Sequence, residues 1–298
     1  MRLIATLVVA LAALAGRAPA EAAETQAHQL GVFVSIPPQA TFVQRIGNDN
    51  VKVGVLVGPG QSPHTFEPTP KQMAQLGKAR LFFAIGFPFE KRILEKVTAA
   101  NPDLKVIDTR QGVPLRSMTG AEAREDADED GHKAGEPDPH IWLSPRLVKI
   151  QASTIALALA AEDPAHAADY HKNLTAFQED LDRLDAKIAK ALEPMKGKAL
   201  FVYHPAFGYF ADAYGLKQVP VEVEGKEPSA RQLAAFIERA KAAGAKVIFV
   251  QPQFSTKSAE AVARSIGGAV VPMDPLATDY LANLERTAEK TAEALGHK

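Results

Sequence analysis

Short β-branched and apolar runs alternate along this chain with segments whose apolar positions recur every three or four residues. Gly31 to Ile36 reads as a buried strand closed by Pro37-Pro38 and followed by a helix through Phe42 and Ile46. Val51 to Val57 is a second strand, ended by Gly58-Pro59-Gly60. A helix then starts near Thr69-Pro70, with the threonine as cap and the proline in the first turn. A strand from Arg80 to Ile85, a helix from Phe89 to Thr98 and a strand from Lys105 to Ile107 complete the first half. The second half repeats the scheme, with strands at Ala199 to Tyr203, Gln218 to Val223, Val247 to Gln251 and Ala269 to Pro272. Its helices are expected at Pro205 to Tyr214, Ser229 to Ala243, Thr256 to Ile266 and Thr278 to Leu295. Such alternation predicts an α/β fold of two lobes, each with a central, mostly parallel sheet.

A helical stretch separates the halves. Ser144-Pro145 starts a helix through Leu159, with Ser144 as its cap, and Asp163-Pro164 restarts it. The second helix runs to about Leu192 with Leu174, Phe177, Leu181, Leu184 and Ile188 along one face. Its length is roughly 40 Å at 1.5 Å per residue. A long rigid helix thus joins the lobes, and only modest lobe movement is expected. The predicted organisation is 1–22 as a signal peptide, 28–144 as the N-terminal lobe, 145–195 as linking helices and 196–298 as the C-terminal lobe.

Composition narrows the class. Of 298 residues, 46% are hydrophobic and 23% charged, as in a globular protein. The 34 basic residues are matched by 35 acidic ones, so no basic footprint points to nucleic acid. Arg2, an apolar run from Leu3 to Ala15 and small residues at Ala20 and Ala22 form a secretory signal whose apolar core is too short for a membrane span. The chain has no cysteine, which excludes disulfides, thiolate ligands and a lipidated amino-terminal cysteine. Export without an anchor favours the periplasm of a double-membraned bacterium, with free secretion as the alternative. The acidic stretch Ala121 to Asp138 has no apolar residue larger than alanine and is expected to be a disordered surface loop.

The candidate chemistry lies at four prolines: Pro63-His64, Pro139-His140, His204-Pro205 and Asp274-Pro275. Their separation requires four different loops, and proline stiffens each one. Three imidazoles and a carboxylate suit zinc. His204 and Asp274 both follow predicted strands, where open α/β sheets bind ligands. His28, His132, His166, His171 and His297 lack this context. Glu67, Glu222 and Glu224 are candidate acceptors for imidazole N–H groups, although Glu67 reads equally well as an exposed loop carboxylate. A zinc hydrolase is the competing class, but catalytic zinc keeps an open position that Asp274 would close. HExxH, GxSxG and P-loop patterns are all missing, so no enzyme is expected.

Four stretches occur in order: Ser62-Pro63-His64-Thr65-Phe66-Glu67-Pro68-Thr69-Pro70, Asp138-Pro139-His140-Ile141-Trp142-Leu143-Ser144-Pro145, Tyr203-His204-Pro205-Ala206-Phe207-Gly208-Tyr209-Phe210 and Met273-Asp274-Pro275-Leu276. Together with Glu227-Pro228-Ser229 and the linking helix, they resemble the zinc and manganese substrate-binding proteins of ABC importers. The resemblance covers nearly all of the chain after the signal. It implies one divalent metal between two lobes, bound by residues matching His64, His140, His204 and Asp274. It further implies periplasmic capture by a monomer and delivery, through the rims of both lobes, to an inner-membrane permease driven by a cytoplasmic ATPase. Zn²⁺ is the expected cargo, because imidazole suits it and manganese prefers more carboxylate oxygen. In related manganese binders a carboxylate usually stands where this chain has His204, and Mn²⁺ is kept as the alternative. An adhesin on the same scaffold is a third class. Two departures stand out: Ser144 occupies a position that is aspartate in many members, and the loop before His140 carries His132 alone rather than a histidine-rich run. That loop reads as solvated, with weak metal capture as the alternative.

Overall fold

The structure, a computed structural model, describes residues 29–118, 137–222, 229–254 and 256–296. The predicted signal peptide, most of the acidic stretch with His132, and His28, Glu224, Glu227-Pro228 and His297 lie outside the described residues. Eight strands and nine helices follow in order among the described residues. The first half holds β1 (Leu30–Val34), α1 (Pro37–Gly47), β2 (Val51–Val55), α2 (Pro70–Leu76), β3 (Leu81–Ala84), α3 (Pro88–Ala100) and β4 (Lys105–Asp108). Two helices, α4 (Pro145–Glu162) and α5 (Ala167–Leu192), lead to the second half. That half holds β5 (Ala199–Val202), α6 (Gly208–Tyr214), β6 (Lys217–Pro220), α7 (Ala230–Ala242), β7 (Val247–Val250), α8 (Thr256–Ser265), β8 (Ala269–Pro272) and α9 (Tyr280–Gly296).

Both sheets are fully parallel and share one topology, β2-β1-β3-β4 and β6-β5-β7-β8. In each the strand order reverses beside its first strand, the position where open α/β sheets leave a crevice at the carboxyl ends. Proline occupies the first turn of α1, α2, α3 and α4, where its missing N–H leaves no helix bond unmade. Thr69 and Gln72 form the expected cap of α2 as a reciprocal capping box, and Ser229 and Gln232 repeat it on α7.

Two local expectations need correction. Ser144 occupies the N-cap of α4, but its hydroxyl makes no capping bond; its carbonyl instead accepts from the amides of Leu147 and Val148. The helix expected from Pro205 begins only at Gly208. Residues 204–206 form a tighter turn in which Ala206 N–H donates to the His204 carbonyl, and Phe207 N–H donates to Gln218 Oε1.

The link between the halves is a helical hairpin. Arg146 pairs with Asp185, Lys149 with Asp182 and Gln178 with Ser153, an antiparallel register of α4 against α5. Helix α5, 26 residues long, packs on α1 from the first half and on α9 from the second. Phe42 of α1 is the meeting point, with its ring 5.9 Å from Phe177 of α5 and 4.8 Å, edge-on, from Tyr280 of α9. One hydrophobic core therefore runs from the first sheet through the hairpin into the second half. A smaller core covers the other face of the second sheet, and β5 divides between the two: Leu200 and Val202 face the first, Phe201 the second. Thr41 Oγ1 adds a hydrogen bond across the halves to the Thr278 carbonyl. No helix among the described residues is long and apolar enough to cross a membrane.

Phe42 is fully buried where all three parts meet, so Phe42→Ala should cost about 3–5 kcal/mol. Urea unfolding followed by far-UV circular dichroism and by fluorescence of Trp142, the single tryptophan, should show one coincident transition in wild type and a lower midpoint in the variant.

Candidate metal site

Three of the four proline-flanked side chains converge. His64 stands on the loop between β2 and α2, where its backbone N–H donates to Ser62 Oγ. His140 precedes a 3-10 turn at Ile141–Leu143, and His204 directly follows Tyr203 at the carboxyl end of β5. His64 Nε2 lies 3.4 Å from His140 Nε2 and 3.1 Å from His204 Nε2. One ligand atom from each ring falls within 4.8 Å of the others. The rings border a cavity of about 10 Å³, the room of a single water-sized sphere. Phe87 meets His64 edge-on at 5.4 Å, Trp142 lies 5.2 Å from His140, and Phe254 stacks on His204 at 4.8 Å. These rings surround the imidazoles with aromatic contacts.

Carboxylates behind two of the rings fix how they face the cavity. His140 Nδ1–H donates to Asp138 Oδ1 at 2.7 Å, and the same oxygen accepts the His140 backbone N–H at 3.0 Å. His204 Nδ1–H donates to Glu222 Oε2. With protons held on Nδ1, both rings turn the lone pair of Nε2 inward. Gln251 clamps the His204 backbone, its Oε1 accepting from the histidine N–H and its Nε2 donating to the histidine carbonyl. Asp138 is fully buried. Its Oδ2 lies 3.7 Å from Arg116 Nη1, and neither atom has a hydrogen-bond partner among the described residues. Tyr209 of α6 joins the two segments, donating to the Asp138 carbonyl and accepting from Arg116 N–H. A Cβ at Gly208 would sit 1.3 Å from Arg116 Nη1, so a side chain there would displace the Arg116 guanidinium from its place beside Asp138.

Burial and the neighbouring imidazoles disfavour protonation of His64 and His204. Burial, then the neighbouring His140 and His204, lowers the His64 pKa to about 2. Burial likewise lowers that of His204, against the pull of Glu222. Neutral imidazoles with inward lone pairs are the form that ligates a cation.

The fourth residue stands apart from this group. Asp274 Oδ1 accepts from Gln253 Nε2 at 2.8 Å and from Leu276 N–H at 2.9 Å. Its carbonyl accepts from Asn283 Nδ2. The neighbouring Pro275 and Leu276 line the cavity. Of the three candidate glutamates, Glu222 contacts an imidazole and Glu67 is exposed. Asp138, Gln251, Gln253 and Phe254 were missed as site residues by the sequence reading. Only Asp138 carried a usable signal, an acidic residue two positions before a candidate histidine.

A sequence model of the family described as zinc-uptake complex component A, periplasmic, matches residues 32–294. The chain is 31% identical over 279 residues to the high-affinity zinc uptake system protein ZnuA of Bacillus subtilis, covering 92% of this chain and 86% of that protein. Its fold is similar to a solved deletion mutant of ZnuA with zinc bound, at a TM-score of 0.83 and 44% identity over 91% of this chain and 99% of that one. It is also similar to FpvC of Pseudomonas aeruginosa in complex with Mn²⁺, at a TM-score of 0.76 and 26% identity, covering 90% of this chain and 99% of that one.

The lowered His64 pKa sets a pH dependence for the metal-free protein. Below the ordinary value of 6.5 the unfolded chain takes up a proton that the folded chain refuses. Stability is therefore complete above pH 6.5 and falls as pH drops below it. Urea midpoints of chelator-stripped protein should follow this course, and His64→Gln should flatten it; an unchanged slope in the variant would contradict the assignment.

Proposed function

The chain belongs to the periplasmic zinc-uptake complex component A family, whose members are substrate-binding transport components and not enzymes, and from that premise we propose that it captures Zn²⁺ in the periplasm and delivers it to an ABC importer. The observation that carries the reading is the set of three imidazole nitrogens within 4.8 Å of one another on one small cavity. We assign His64, His140 and His204 as ligands, with Asp274 entering as the fourth. A neutral ring with a carboxylate behind its other nitrogen is the usual dress of a zinc-bound histidine, fixed in tautomer and raised in basicity. Asp138 and Glu222 supply that support to His140 and His204.

Ligand softness selects zinc over manganese. Three imidazoles suit a borderline ion, whereas Mn²⁺ prefers a shell richer in carboxylate oxygen. The fold does not decide the matter, because FpvC carries Mn²⁺ on the same architecture. Delivery requires a membrane permease and its ATPase, the partners implied by membership of an uptake system. The rims of both lobes are the surfaces available for them. The protein acts as a monomer in this reading.

Calorimetric titration of chelator-stripped protein should give one Zn²⁺ site that binds more tightly than Mn²⁺. Alanine at His64, His140 or His204 should reduce zinc affinity by more than the roughly 10–100-fold loss that removing an outer partner causes. Zinc binding that survives the triple replacement would overturn the assignment. Asp138→Asn keeps the ligands but exchanges a carboxylate for an amide behind His140, and should cost roughly 10–100-fold in zinc affinity.

A further inference from the structure

Gln253, on the loop after β7, is in the cavity wall but belongs to none of the ligand stretches. Its Nε2 donates to Asp274 Oδ1, while its own Oε1 is buried with no hydrogen-bond partner among the described residues. An amide that leaves its carbonyl unpartnered is held in that orientation by what its other end gains, here the carboxylate of Asp274. Turning the amide over would set Oε1 against that carboxylate, oxygen to oxygen.

The backbone around Asp274 is pinned on both sides. Asn283 Nδ2 donates to the Asp274 carbonyl, and Trp142 Nε1 donates to the Pro275 carbonyl, each at 2.7 Å. With both carbonyls held, rotation of its own side chain is the simplest way for the carboxylate to change its distance from the imidazoles. Two donors restrain that rotation: Leu276 N–H, two residues along the same turn, and Gln253 Nε2, from a different loop. Gln253 is the restraint that can vary independently of the Asp274 turn.

Resting on the reading that the imidazoles bind a divalent cation, we infer that Gln253 is a specificity-determining positioning residue: by tethering Asp274 beside the cavity it makes recruitment of carboxylate oxygen costly, and so favours zinc over manganese. Asp274 serves as a ligand to either metal, but three imidazoles carry most of the zinc binding, so zinc loses less than manganese when the tether holds the carboxylate back. Manganese depends on the added oxygen and bears the cost of breaking the tether.

The test uses chelator-stripped full chain with Gln253→Leu and Gln253→Ala, each also made in an Asp274→Asn background. Zn²⁺ and Mn²⁺ affinities are measured by competition with a chromophoric chelator, and the visible spectrum of the Co²⁺ form reports the ligand set. Both single variants should improve Mn²⁺ affinity relative to Zn²⁺ on the order of tenfold and change the Co²⁺ spectrum. Both effects should vanish in the Asp274→Asn background. An unchanged metal ratio, or a shift that persists without the Asp274 carboxylate, overturns the inference. Two side chains are used so that a folding defect in one, checked by circular dichroism, leaves the other to decide. If the wild-type protein binds neither metal, the underlying reading fails instead.

Discussion

Three imidazole nitrogens crowded around a space the size of one water molecule are the constraint on which the remaining structure depends. Two of them, on His140 and His204, turn a lone pair inward because their ring protons are fixed on the far side by Asp138 and Glu222. Burial lowers the pKa of His64 and His204, so protonation is a poor way to relieve the crowding. A divalent cation satisfies all three at once. The cost of holding such a group together without one falls on the fold, and much of the local architecture can be understood as meeting it.

The three rings come from segments 76 and 64 residues apart in the chain, so their spacing is only as good as the rigidity between the halves. That rigidity comes from continuity of the core. Helix α5 contributes Phe177 to a cluster with Phe42 of the first half and Tyr280 of the second. Tyr280 O–H in turn donates to the Trp142 carbonyl, and Trp142 Nε1 donates to Pro275. The chain of contacts thus runs from the linking helix to the cavity wall. In the first half, a buried glutamate at the start of α3 serves a similar end. Glu90 accepts from Ser35 Oγ and from the amides of Ile85 and Gly86, and so braces the turn that presents Phe87 to His64.

Much of this was legible in the sequence, for local reasons. Apolar runs closed by proline or glycine mark strand ends, and proline at helix starts marks the next element, so the two parallel sheets followed from period and punctuation. The three histidines were legible because each abuts a proline at such a boundary. What failed depended on side-chain geometry. Pro205 looks like a first-turn proline, but the turn at His204 closes more tightly and delays the helix to Gly208. Ser144 has the chemistry of a cap but is nearly fully buried and makes no capping bond. Asp138 stands two residues before His140, a usable signal whose pairing with the ring only the fold displays, and Gln253 lies in a segment with no periodicity to read. The tether between Gln253 and Asp274 joins two loops that only the folded sheet brings together.

The central claim is that the three imidazoles form the shell of a bound zinc ion. X-ray absorption at the zinc edge of the loaded protein tests it most directly. The account predicts three imidazole nitrogens at about 2.0–2.1 Å and one further light ligand, in tetrahedral arrangement. A shell of oxygens with one imidazole or none would contradict it.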